Sequence, residues 1–459
     1  MSPPRRRGTT TRGASPARAV AARVLERVET DGAFADLALD AELRRGALPS
    51  RDVALATELI FGVLRWQRYL DWILAPHSRR RLATLDPRVR VLLRLTAYQL
   101  AFLDRVPVFA AVHDAVSLAR GAPGVAEYVN AVLRAFARRG AAEREPALPR
   151  DPLEALATRC SFPTWLAARW LARYGAEEAE ALMRALNTRP PLTVRANTLR
   201  TTREALAVRL RDEEHAQVRP TDLAPEGLVV EGGGDPGRWR AFAAGTCVLQ
   251  DEASMLVARL LEPAADATVA DVCAAPGTKT THLAQLMGDR GRVLAFDPQP
   301  VRLARVDEAA ARLGVTIAET VEGTVEALAP RWASACDGVL VDAPCSNLGV
   351  LRRNPEVKWR RQAGDVAGAG ARQRAILAAA AGLVRPGGRL VYATCSLEPE
   401  ENDDVARDFL AGHASFVVDP PVGWPVPPDA AGFVRCLPHR HGTDGFTAIR
   451  FRRAGAVAV

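Results

Sequence analysis

Lysine is almost missing from this 459-residue chain. Of 61 basic residues only Lys279 and Lys358 are lysines, and all the others are arginine. Arginine is thus the default cation, and the two survivors mark places where a compact ammonium does what a planar guanidinium cannot. Long apolar runs are missing as well. The best, Val91 to Leu103, is cut by Arg94 and falls short of the roughly 20 residues a membrane-spanning helix needs. The N-terminal stretch carries arginine without an apolar core segment, so it does not read as a secretory signal; an organelle transit peptide would look similar, and a solvated basic tail is the commoner case. Cysteine is sparse: seven, an odd number, widely spread and with no CxxC pair. That excludes a disulfide framework and a thiolate zinc site, so no metal is expected, and it suits a reducing cytosol. A cytoplasmic protein is the expectation.

What the chain does have is an excess of positive charge, +8, which favours a polyanionic partner, most often nucleic acid. Nearly half the residues are hydrophobic, and the length suits two to four domains. Residues 1–18 read as a disordered basic tail. From 19 to 140 apolar residues recur at three-and-four spacing, as in "ATELIFGVLRWQRYLDWIL", predicting an all-α domain of six or seven helices. Asp86 and Pro87 read as cap and first residue of one of them. Arg51, Arg65, Arg68, Arg79, Arg80 and Arg81, with Trp66, are candidates for an RNA-facing surface, although each alone reads better as part of a solvated face. "GAAEREPALPRDP" (140–152) reads as a linker. Residues 153–245 read as a small α+β RNA-binding segment, where basic residues such as Arg189, Arg195 and Arg200 recur. From 246 to 455 short β-branched strands alternate with helices, the pattern of a doubly wound α/β sheet whose ligands sit at strand carboxyl ends. Nothing demands more than a monomer.

"DVCAAPGTKTTHLAQ" follows the first of these strands and opens a helix. It is neither GxGxxG nor the GK[ST] of a phosphate loop, which disfavours dinucleotides and triphosphates. The next strand ends at Asp297, where a carboxylate can accept both hydroxyls of a ribose. Glu322 after the third strand can hold an adenine amino group. A nucleoside without pyrophosphate suits these parts, namely S-adenosylmethionine.

Two further strands break off at cysteines: "GVLVDAPCSNLGV" and "LVYATCSLEPEEN". Cys160, Cys247, Cys336 and Cys436 read as structural, whereas Asp342, Cys345 and Cys395 project toward the cofactor mouth. A Cys/His hydrolase needs a histidine base, and none of the seven histidines has a place beside either thiol. Methylation of carbon 5 of a pyrimidine explains the pair better. A thiolate adding to carbon 6 turns the ring into a nucleophile, and a carboxylic acid such as Asp342 assists at ring nitrogen 3. A second thiol assists release, and Lys279 is the candidate cation for ionising the attacking thiol. "RRNPEVKWRR", through Arg352, Arg353, Lys358 and Trp359, is read as an RNA-binding loop that pairs phosphates and stacks bases.

"DVCAAPGTKTTH", "DAPCSNLGVLRRNPEVKW" and "YATCSLEPEEN", together with "HGTDGF", resemble the motifs of the Sun family of RNA 5-methylcytosine methyltransferases, most closely its bacterial branch acting on 16S ribosomal RNA. The helical N-terminus is similar to the NusB-like RNA-binding domain fused to those enzymes. The resemblance covers nearly the whole chain and implies a Rossmann-like catalytic domain. It implies Cys395 as nucleophile, Cys345 as the product-release thiol and Asp342 at cofactor and base. It also implies Cys273, Ala274, Ala275, Pro276, Gly277, Thr278, Lys279, Asp297 and Glu322 as the lining of S-adenosylmethionine. Thr278 stands where the family usually has glycine, and Glu322 where it has aspartate. Two alternatives stay open: a non-catalytic RNA-binding assembly or antitermination factor, and the same chemistry on transfer RNA.

Overall fold

The computed structural model describes residues 14–46, 48–121, 123–139 and 145–455. The chain divides into two compact units, Met1–Met183 with Asn354–Arg360, and Arg184–Arg353 with Arg361–Val459.

The first unit is helical among the described residues: α1 (Pro16–Thr30), α2 (Ala35–Arg45), α3 (Ser50–Arg65), α4 (Gln67–Leu74), α5 (Pro87–Phe102), α6 (Val108–Leu118), α7 (Val125–Ala137), α8 (Pro152–Arg159) and α9 (Thr164–Tyr174), with the division falling inside α10 (Ala176–Leu186). α5 starts as read from the sequence, with Asp86 accepting from the Arg88 amide and Pro87 at its first position. Ala56, Leu59, Ile60 and Val63 stripe α3 and are buried in the core. Arg94, which interrupts the apolar run, has both ends of its fork on the Asp71 carboxylate at 2.7 Å.

Two boundaries of this unit differ from the sequence reading. α1 begins at Pro16, so Pro16–Arg18 are helical; residues 1–13 of the expected tail lie outside the described residues. Helices α8 and α9 group with the first unit and not with a separate α+β segment, because Arg68 of α4 donates to Thr158, Thr164 and the Phe162 carbonyl. Residues 140–144 of the expected linker lie outside the described residues.

The second unit holds two sheets. β1 (Leu192–Ala196), β2 (Ala216–Pro220), β3 (Gly227–Gly232) and β4 (Cys247–Leu249) form an antiparallel sheet in the order β2-β3-β1-β4, covered by α11 (Arg203–Glu214). Its last strand lies beyond residue 245, the expected end of this segment. After α12 (Glu252–Leu260) come β5 (Thr268–Asp271), α13 (Thr278–Leu286), β6 (Arg292–Asp297), α14 (Pro300–Leu313), β7 (Ala318–Glu322), β8 (Cys336–Asp342), α15 (Ala363–Ala381), β9 (Val384–Thr394), α16 (Asp403–Gly412), β10 (Phe416–Val418), β11 (Phe433–Cys436) and β12 (Phe446–Arg453). They build an eight-stranded sheet, β10-β12-β9-β8-β5-β6-β7 with β11 on β12. The run from β7 to β9 is parallel, and the strand order reverses between β5 and β8. Such a reversal splays the flanking helices and leaves a crevice at the carboxyl ends of the strands.

Candidate active site

β8 and β9 run parallel with Asp342 opposite Ala393, so their loops leave the sheet side by side. Three residues past Asp342 stands Cys345, and immediately after β9 stands Cys395. Their sulfurs are 3.0 Å apart, and both side chains are half-buried. Asn347, in the left-handed conformation that asparagine tolerates, turns its side-chain oxygen to both thiols, 3.0 Å from Cys395 and 3.5 Å from Cys345. Gly349 donates its amide to the Cys395 carbonyl at 2.9 Å, and Gly445 donates to the Gly349 carbonyl at 2.9 Å. A Cβ on Gly349 would stand 2.2 Å from the Gly445 carbonyl oxygen, so only glycine fits this backbone crossing.

Lys279, in the first turn of α13, places Nζ 2.6 Å from Asp342 Oδ2 and 5.2 Å from the Phe446 ring centroid. Beneath them Asp271 is buried, accepting from the Thr280 hydroxyl at 2.8 Å. Burial pushes its carboxyl up to about 6, and the Asp342 carboxylate adds to this. The Cys395 thiol is pushed well above its ordinary value by its hydrogen bond to Cys345, by burial and by Asp342; Lys279 opposes this and is outweighed. Lys279, the candidate activating cation, acts in the expected direction on this thiol, while its ammonium is also paired with Asp342. No histidine is hydrogen-bonded to either sulfur among the described residues. His282, the one buried in α13, pairs with Glu226 at 2.7 Å.

A cavity of about 400 Å³ opens here, lined by Cys273, Ala274, Ala275, Pro276, Thr278, Lys279 and Asp342, and closed by Thr193, Gln250, Asp251, Arg353, Asp444 and Phe446. Gly277 makes the turn into α13 at φ +96°, and its own neighbour is Val306 of α14. Asp297 ends β6 and is nearly closed off from solvent. Its carboxylate accepts from the Gln299 amide at 3.0 Å and pairs with Arg302 at 3.3 Å, leaving lone pairs for a diol. Arg302, which the sequence reading passed over, also donates to the Ala275 carbonyl at 3.0 Å and so ties this loop to Asp297. Glu322 pairs in register with Asp297 at the end of β7 and is exposed. These acceptors and small residues fit a nucleoside ligand without pyrophosphate. Asp297, Glu322 and the two thiols Cys345 and Cys395 are not among the residues that line this cavity; Asp342 and Lys279 are its link to the thiol loops.

The loop expected to face RNA is turned inward. Arg352 is buried and donates to Asp444 at 2.6 Å and to the Gly442 carbonyl at 2.9 Å; Arg353 is half-buried and donates to Asp251 at 2.9 Å and to Asp444. In the first unit Lys358 is buried, donating to the Arg65 carbonyl at 2.7 Å, with Nζ 4.1 Å from the Phe162 ring centroid. Trp359 donates to the Leu64 carbonyl at 2.7 Å. Two of the four expected RNA contacts, Arg352 and Lys358, are thus committed inside the fold, because desolvated cations need such partners. Arg65 of the expected helical surface is buried too, while Arg51, Arg79, Arg80 and Arg81 are exposed. Asn347, Asp271, Phe446 and the Asp251–Asp444 pair were not singled out from the sequence. Asp271 and Asn347 lie inside the quoted "DVCAAPGTKTTH" and "DAPCSNLGVLRRNPEVKW" motifs, and "HGTDGF" supplies Asp444, Gly445 and Phe446; Asp251 lies in none of them.

This reversing sheet, with its nucleoside-sized strand-end site and paired thiols, is that of a Rossmann-like methyltransferase preceded by an all-α domain. Comparison with known proteins narrows the class. Residues 258–452 match the family described as "16S rRNA methyltransferase RsmB/F", 15–138 match the NusB family, and 162–235 match the ferredoxin-like domain of RsmF/B-like methyltransferases. A probable ribosomal RNA small subunit methyltransferase B of Bacillus subtilis is 37% identical over 447 residues, covering 95% of this chain and 99% of that one. Ribosomal RNA small subunit methyltransferase B of Pseudomonas putida is 35% identical, covering 86% of this chain and 88% of its own. The crystal structure of PH0851 superposes with a TM-score of 0.82 at 28% identity, covering 96% of this chain and 99% of that one. That of NSun6 from Pyrococcus horikoshii with SFG gives 0.58 at 25% identity, covering 64% and 98%. The chain belongs to the RsmB/F family of 16S rRNA methyltransferases.

Proposed function

We propose that this protein methylates carbon 5 of a cytosine in RNA, with small-subunit ribosomal RNA as the substrate and S-adenosylmethionine as the methyl donor. The observation that carries the reading is the pair of thiols 3.0 Å apart at two adjacent strand ends, with the Lys279–Asp342 pair beside them. The relatives' names support the substrate.

The residues divide the work as follows. The Cys395 thiol loses its proton to water, and the thiolate adds to carbon 6 as the carbon 5–carbon 6 double bond opens, which leaves carbon 5 electron-rich. Asp342 and Lys279 hydrogen-bond the polar edge of the ring and stabilise the charge that develops there. Cys273 to Lys279, with Asp297 and Glu322, would hold the donor, which would supply an electrophilic methyl group and leave as its neutral thioether. Cys345 then assists removal of the carbon 5 proton, so that the carbon 6–sulfur bond breaks and Cys395 is expelled as thiolate. Asn347 holds both sulfurs toward the same point throughout.

Bisulfite sequencing of RNA treated with the wild type shows methylcytosine that Cys395→Ser does not produce; equal methylation by both would remove Cys395 from the nucleophile role. Cys345→Ala accumulates a covalent protein–RNA adduct, visible as a retarded band on a denaturing gel, and its absence counts against the release role. Calorimetry is expected to show S-adenosylmethionine binding that Asp297→Ala weakens. RNA binding without cofactor binding would favour a non-catalytic RNA-binding factor, the reading open to a chain with a NusB-family domain.

A further inference from the structure

Both cysteine loops lead to one buried carboxylate. Glu401, in the short helical turn Pro399–Glu401, is fully closed off from solvent. Its carboxylate accepts from the Ser346 amide at 2.7 Å, from the hydroxyls of Ser346 and Ser396, and from the Gln373 side-chain amide at 3.2 Å. Ser346 and Ser396 are the residues that follow the two cysteines, and both are buried. Gln373 also donates to the carbonyl of Pro344, the residue before Cys345, at 2.9 Å. The neighbouring Asn402 secures the other side, with its amide on the Ser396 carbonyl at 3.1 Å and its oxygen accepting from Thr394 at 2.8 Å.

A carboxylate in the interior is costly unless its lone pairs are filled. Here two donors come from the residue after Cys345, a third from the glutamine that also holds the residue before it, and a fourth from the residue after Cys395. The two loops therefore reach their lowest energy only at one mutual distance. Nothing in the proposed chemistry has this carboxylate touch the ring or the donor. We infer that Glu401 is the positioning residue that sets the separation of the Cys345 and Cys395 sulfurs. This rests on the reading that both thiols act on one ring. It gives the acidic run after "YATCS" a task that the motif alone does not state.

The test reads the separation directly. Diamide, a two-electron oxidant that takes up the two thiol protons as the sulfur–sulfur bond forms, is added to the full-length folded protein without RNA or cofactor. Coupling of Cys345 to Cys395 is followed by mass spectrometry of unreduced digests. The wild type couples fastest. Glu401→Gln and the Ser346→Ala/Ser396→Ala double variant couple about tenfold more slowly, and single-turnover methylation falls on the order of a hundredfold, the size of effect a displacement near 1 Å produces. Affinity for S-adenosylmethionine is unchanged. If Glu401→Gln is not recovered folded, Ser396→Ala, which removes one hydroxyl donor and leaves the carboxylate in place, gives the same reading. Coupling at the wild-type rate in the folded variants overturns the inference. A wild type that couples rapidly but leaves cytosine unmethylated overturns the proposed function and leaves the role of Glu401 standing.

Discussion

A thiol that attacks a pyrimidine must first lose its proton, and the surroundings of Cys395 resist this. Its partner Cys345, burial and Asp342 all favour the protonated form, and Lys279 alone opposes them. The thiolate fraction therefore grows with pH beyond the range of a free cysteine, about 8.5. Alkylation of Cys395 by iodoacetamide is expected to keep accelerating above that pH. Cys345→Ala, which removes the largest cause, shifts the profile toward lower pH; a plateau at or below the free-cysteine value in the wild type would contradict this. Asp271 makes a separate prediction. Its folded carboxyl titrates near 6 against 3.8 in the unfolded chain, so the folded state binds more protons between those values. Stability contributed by this group falls as pH rises through that window, and it is a penalty at neutral pH. Asp271→Asn should raise the melting temperature at pH 7.5, by about 1–3 kcal/mol in stability. The gain should fade toward pH 4, which thermal unfolding across pH will show.

Loops and helix ends carry the next level of the design. The turn after β8 and the turn before β12 meet through Gly349 and Gly445, and this crossing also holds the Cys395 carbonyl. Gly349→Ala should cost several kcal/mol, as overpacking against backbone does. It should also abolish methylation, measurable as a lower urea midpoint together with lost activity. α3 ends at Arg65, and the carbonyls of Leu64 and Arg65 are among those a helix leaves without partners. Trp359 and Lys358 fill them. A compact ammonium fits between that helix end and the Phe162 ring, which accounts for lysine at 358 in a chain otherwise built with arginine. Lys358→Arg is expected to destabilise the first unit by about 2–4 kcal/mol, since a larger fork enters a closed space. Calorimetric melting would show this, and an unchanged transition would refute it.

Across the chain, the segment Asn354–Arg360 belongs to the helical unit although it lies far along the sequence, among residues of the catalytic unit. A fragment ending at residue 183 lacks the groups that cap α3 and should melt below the corresponding transition of the intact chain. A peptide of residues 352–362 added to it should raise that melting point, and no effect of the peptide would count against the packing described.

Periodic apolar residues, the Asp86–Pro87 helix start and short β-branched strands were legible because each depends on neighbours within a few positions. The places of Asp297, Asp342, Cys345 and Cys395 at or just past the carboxyl ends of β6, β8 and β9 were legible for the same reason, since each follows from where a parallel strand stops. The inward turn of Arg352 and Lys358, the convergence of Ser346 and Ser396 on Glu401, and the resistance of Cys395 to ionisation were not. Each depends on residues tens to hundreds of positions apart meeting in a space without water, where charge and hydrogen-bond satisfaction outweigh local pattern. Linear order specifies which groups are available and at which end of the sheet they emerge. Packing alone specifies which of them face a ligand and which are consumed holding the others in place.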